Sequence, residues 1–157
     1  MVAALLQRLR EINERKNPGL QLLEPPAHVR QLATLADHHY TPISPMLRQR
    51  FDFAGAWKNA ARAQDWLSAD EMKAVWSDAT IQQQLSVRRE HWESSVFTAH
   101  PLSRLSLFAI DRIDGNETYL LWPEEHAQEP GVVVYAGHQT HEFDDLRAFA
   151  SWLVGDA

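Results

Sequence analysis

Residues 104–135 constrain this chain more than any other stretch. Arg104-Leu105-Ser106-Leu107-Phe108-Ala109-Ile110 reads as a strand, and Glu117 to Trp122 reads as its return. Between them, Asp114-Gly115 is a hairpin signal, because glycine accepts the positive φ such turns need. Apolar side chains fall on both faces of this pair, which places it centrally in a sheet. Gly131-Val132-Val133-Val134-Tyr135 is a third strand, and the chain is expected to continue extended to Phe143.

Helical periodicity marks the flanks. Val2, Leu5, Leu6, Leu9 and Ile12 predict a helix over about 2–15, ended by Pro18-Gly19. A second helix is expected after Pro25-Pro26, with Val29, Leu32, Ala33 and Ala36 on one face. Residues 41–56 read as irregular, with a helical turn around Met46 to Arg50. Ser68-Ala69-Asp70-Glu71 is a capping box, continued on one face by Met72, Val75, Trp76 and Ala79. Thr80-Ile81-Gln82-Gln83 resembles a second box, opening a helix to about Ser94. Asp144 is expected to cap a last helix carrying Leu146, Phe149, Ala150 and Leu153. Helices, a mostly antiparallel central sheet and a C-terminal helix make an α+β chain, and 157 residues suit one domain over 1–157.

Composition narrows the chemistry. There is no cysteine, which removes disulfides, thiol nucleophiles and cysteine-held metals together. The first residues have too short an apolar run for a signal peptide, and no stretch approaches a membrane span. These features predict a cytoplasmic location and no membrane partner. Charge is uneven: residues 1–50 carry a balance of +3, 51–110 of −1 and 111–157 of −8. An acidic C-terminal part repels phosphate backbones and attracts basic proteins. Arg8, Arg10, Arg15, Lys16 and Arg88-Arg89 read as solvated helix faces, and a pI near 5.7 speaks against a nucleic-acid partner.

No catalytic motif stands out. No Gly-x-Ser-x-Gly elbow and no phosphate-binding glycine loop is present. His138-Gln139-Thr140-His141-Glu142 is the sharpest candidate for metal chemistry and a small hydrolase. Along an extended strand, however, residues three apart point to opposite faces, so no metal or other cofactor is expected. His38-His39 reads as a pair at a helix C-terminus. The acidic stretch remains: Asp111, Asp114, Glu117, Glu124, Glu125 and Glu129, with Tyr119 and Trp122 among them. Aromatic anchors supply affinity and charge supplies steering, so these eight residues form the candidate protein-binding surface.

Three places resemble the SUKH superfamily, the Smi/Knr-like proteins. Pro45-Met46-Leu47-Arg48-Gln49-Arg50-Phe51 with Gly55 is similar to its segment leading to a glycine, although Ser44 stands where the family has Leu. Trp66-Leu67-Ser68-Ala69-Asp70-Glu71 through Trp76 is similar to its Leu-Ser-x-x-Glu helix. The strands from Leu107 to Tyr135 and the helix Leu146 to Leu153 resemble its C-terminal half. The likeness covers about 25–154 and leaves 1–20 as an added helix. Many bacterial members are immunity proteins against polymorphic toxins. The resemblance therefore implies a non-enzymatic protein that neutralises a cognate toxin, its partner meeting the acidic residues through a basic surface. A regulatory scaffold of the Smi/Knr kind is the other role it implies.

Overall fold

The computed structural model describes residues 2–91, 96–124 and 128–155. Helix α1 (Val2–Lys16) is followed by the short strands β1 (Leu22–Leu23), β2 (Gln31–Ala33) and β3 (Tyr40–Pro42). Next come α2 (Pro45–Phe53), β4 (Trp57–Ala61), β5 (Gln64–Trp66), α3 (Ala69–Ala74) and α4 (Ala79–His91). The last part is α5 (Val96–Ala99), β6 (Leu105–Ile110), β7 (Glu117–Leu121), β8 (Gly131–Ala136), β9 (Gln139–Phe143) and α6 (Leu146–Val154). One seven-stranded sheet runs β1-β4-β5-β6-β7-β8-β9, and every neighbouring pair is antiparallel. Strands β2 and β3 form a separate two-stranded sheet. The α+β architecture expected from the sequence is the architecture observed.

Helices cover both faces of the large sheet. On one face α1, α2 and α6 pack together. There Trp66 meets Trp57, Phe108 and Phe149 at ring-centroid distances of 5.1, 4.7 and 6.0 Å. On the other face, Arg88 of α4 and Phe97 of α5 meet Glu117 and Tyr119 of β7. This double cover explains why β6 is buried at all six positions instead of alternating. A bulge at Phe108 interrupts the β6–β7 register.

The expected helix after Pro25-Pro26 does not form; β2, a turn and β3 occupy that segment. The backbone groups such a helix would consume internally are taken by tertiary partners. Ser106 Oγ donates to Ala33 O, the Trp76 indole donates to Thr34 O, and Leu35 N donates to Leu105 O. Short helices are marginal without packing, so these bonds prevail. His38 and His39 therefore do not end a helix of their own. His38 sits in the turn at φ 56, and His39 Nδ1 lies 2.9 Å from Thr34 Oγ1.

Other boundaries shift by local hydrogen bonding. The Ser68–Glu71 capping box forms both its bonds, but α3 stops at Ala74 and a single 3-10 turn takes Val75–Ser77. Asp78, rather than Thr80, caps α4 by accepting from Ile81 N. Asp145, rather than Asp144, caps α6 by accepting from Ala148 N. The extended segment to Phe143 is broken by a turn at Gly137, φ 61, into β8 and β9. The helix expected over 46–50 is longer, running from Pro45 to Phe53.

Strands β4 and β5 are joined through Arg62 and Ala63, both at positive φ (50° and 60°). Two positive-φ residues in a two-residue hairpin loop make the turn that Asn-Gly normally supplies. Ala63 is exposed and bears the left-handed cost. Ala63→Gly is expected to raise the unfolding free energy by about 0.5–1 kcal/mol, the steric relief exceeding the added chain entropy. Urea denaturation measures it, and an unchanged midpoint would mean that the turn is unstrained.

Candidate functional site

The tightest polar constellation lies where α4 meets the β6–β7 turn. Glu117 begins β7 and is fully buried on the α4 side of the sheet. Arg88 approaches it in bidentate fashion: Nε lies 2.9 Å from Oε1 and Nη2 lies 3.0 Å from Oε2. Gln84 Nε2 donates to Oε2 at 3.2 Å, and the Tyr119 hydroxyl donates to Oε1 at 2.9 Å. The Arg88 guanidinium also lies over the Tyr135 ring, 4.5 Å from its centroid. Tyr135 in turn accepts from Val96 N at the start of α5. Sequence places these groups simply: Gln84 and Arg88 are four apart on one helix face, and Glu117 and Tyr119 are two apart on one strand face.

Burial, with the charge and hydrogen bond of Glu117, pushes the Tyr119 hydroxyl well above its usual range. Burial disfavours the Arg88 cation, but the hydrogen bond and charge of Glu117 outweigh it and the pKa is raised. The tyrosine is thus held protonated and the arginine charged. Neither is poised to exchange a proton near neutrality, so the cluster is suited to holding shape.

What it holds is the β6–β7 turn. Asp111 Oδ1 accepts from Ile113 N at 3.0 Å and from Asp114 N at 3.2 Å. Gly115 N donates to Asp111 O, and Asp111 N donates to Asn116 O. Arg88 Nη2 donates to Gly115 O, and Gln84 Nε2 donates to Asp111 O. Asn116 Oδ1 accepts from Gly137 N, tying in the β8–β9 turn. Gly115 itself needs its φ of 78°. At the tip of this bonded turn Ile113 is 93% exposed. Beside it a recess of about 460 Å³ is lined by Val87, Asp114, Asn116 and His138, with Arg88 and Glu117 beneath. Val87 is 47% exposed.

The eight expected contact residues do not form one surface. Asp111, Glu117, Tyr119 and Trp122 are buried. β7 is a central strand covered on both faces, which buries Glu117 and Tyr119. Trp122 donates to Ser106 Oγ and belongs to the core. Of the acids left, Asp114 is exposed at the β6–β7 turn. Glu124 and Glu129 lie past the other end of β7, on the order of 15 Å away by strand length. Glu124 is exposed near Arg104, and Glu129 accepts from Met46 N at the start of α2. Glu125 lies outside the described residues. The expectation of a continuous acidic and aromatic patch is therefore corrected. Asp111, Asp114, Glu117 and Tyr119 do come together, as the support and rim of one turn.

The histidine segment does not converge either. His138 is exposed in the β8–β9 turn. His141 turns towards α6, its ring 4.8 Å from that of Trp152, while Glu142 projects from the opposite face of β9. Among the described residues, no group of three or more His, Asp or Glu is placed to hold a metal. No helix among them is long and apolar enough to cross a membrane.

Ile113 and Val87 escaped the sequence reading. The signal was an isoleucine in Asp111-Arg112-Ile113-Asp114-Gly115, a turn whose other residues are all suited to solvent. Compared with family models, curated proteins and solved structures, the chain matches none.

Proposed function

We propose that this chain is an immunity protein that binds a cognate bacterial toxin domain and blocks it by stoichiometric contact, docking through the end of the sheet that carries Ile113. One observation carries the reading: a large apolar side chain stands almost wholly in solvent on a turn fixed by a buried ion-pair network. A preformed anchor loses little conformational freedom on binding, which is the property of interface hot spots. Asp114 and Val87 extend the anchor into a mixed rim around the recess. The SUKH-like motifs support the same role. The net charge of −6 favours encounter with a basic toxin surface through long-range attraction, without a single acidic patch.

The test uses a candidate toxin domain taken from a reading frame adjacent to this chain's own. Co-expression with the wild-type protein is expected to restore growth. Ile113→Asp, with an unchanged circular dichroism spectrum, is expected to weaken the complex by about thirty-fold or more and to lose protection. Wild-type affinity in that variant would remove the docking face, and toxicity persisting at molar excess of wild-type protein would remove the function.

A further inference from the structure

A second surface lies at the β2–β3 turn, remote in sequence from the Ile113 end. There a recess of about 480 Å³ is lined by Asp37, His38, Asp70, Lys73 and Trp76. Trp76 is only half-buried, yet its indole is fixed, Nε1 donating to Thr34 O at 2.8 Å. His38 packs on it at 5.2 Å and Tyr40 meets it edge-on at 5.4 Å. His38 achieves this with a left-handed backbone, φ 56, which a non-glycine residue adopts at a cost. Asp37 and Asp70 are both exposed at this recess and outweigh the single Lys73.

We infer that the recess receives a cationic side chain, foremost an arginine, of a protein partner, its guanidinium on the Trp76 indole and paired with Asp37 and Asp70. Arginine suits the site because its flat cation stacks on an aromatic face while its N–H groups reach carboxylates at the edge. Indole stacking and two exposed ion pairs are each modest. An isolated arginine side chain is expected to bind only on the order of 10 mM, and to strengthen a larger interface by about five- to thirty-fold. The inference stands on this recess alone and does not depend on the toxin-binding reading.

The experiment follows the Trp76 indole N–H by NMR in the full chain, titrated with the peptide acetyl-Gly-Arg-Gly-amide. The expected result is a saturable shift that is at least five-fold weaker with the citrulline peptide, which keeps the shape and loses the charge. The double variant Asp37→Asn with Asp70→Asn, altering only exposed side chains, is expected to weaken the arginine peptide to the same degree. No saturable shift up to about 50 mM would overturn the inference, because the expected strength lies well inside that range. So would equal binding of the citrulline peptide, or undiminished binding by the double variant.

Discussion

Replacing Glu117 by leucine is expected to lower the unfolding free energy by about 3–5 kcal/mol, the largest effect of any single change at the turn network. The substitution leaves Arg88 buried without its carboxylate and strips acceptors from Gln84 and Tyr119. A buried charge that has lost its partner keeps its desolvation cost, whereas an exposed pair would lose almost nothing. Arg88→Leu together with Glu117→Leu is expected to recover part of the loss, since neither charge then remains buried. Urea denaturation of the single and double variants measures the coupling. A Glu117→Leu loss below about 1 kcal/mol would show that the pair is effectively solvated.

The same network predicts alkaline sensitivity. The Tyr119 hydroxyl titrates higher in the folded chain than in the unfolded one. Its contribution is therefore whole below pH 10 and is lost as pH rises above it. Tyr119→Phe should lose less stability than wild type on going from pH 9 to pH 11.

Arg50→Ala is expected to cost about 4 kcal/mol, from three losses at one position. Arg50 is fully buried on the other side of the sheet, with its guanidinium 4.4, 5.5 and 5.8 Å from the ring centroids of Phe51, Trp66 and Phe108. It donates to Ala54 O, at the end of α2, and to Leu67 O, before α3. Alanine removes a donor from both carbonyls and leaves the three rings facing a void. Arg50→Met refills the volume without restoring the bonds, so it should fall between wild type and alanine. Burial holds the guanidinium's pKa down to about 9, with Glu71 opposing, so Arg50 is still a cation at neutral pH. Because the unfolded chain retains this proton to higher pH, the group's own contribution to stability rises with pH above 9. The margin of wild type over Arg50→Met should widen between pH 8 and pH 10, as read by chemical denaturation. A constant margin would mean that Arg50 keeps its proton throughout.

The C-terminal half was legible because its signals are local. Asp114-Gly115 fixes one turn, and the mostly apolar run 105–110 and the β-branched Val132–Val134 carry their own strand character. The Ser68–Glu71 box likewise states its own hydrogen bonds. Other segments were misread or left unread because distant groups decide them. Residues 29–36 have helical spacing, but Ser106, Leu105 and Trp76 claim their backbone groups. β4 and β5 turn at Arg62-Ala63, a pair with no turn signature, and are held instead by core burial of Trp57 and Trp66.

The site was half legible for a related reason. Asp111, Asp114, Glu117 and Tyr119 were four of the eight residues expected on one exposed surface; they gather at one turn, but three of them are buried, because excess charge in sequence says nothing about which carboxylates face water. Glu117 satisfies Arg88 across 29 residues, and that pairing buries it. Ile113 was passed over because apolar residues are read as core, and only the coordinates show one standing outside.

Hydrogen–deuterium exchange on the chain alone and in complex with a toxin domain that it neutralises tests the central claim most directly. If the β6–β7 turn is the docking face, amides of 112–116 and 137–138 gain protection in the complex while those of the Arg62-Ala63 hairpin do not. A complex that leaves 112–116 exchanging as in the free chain would contradict the account.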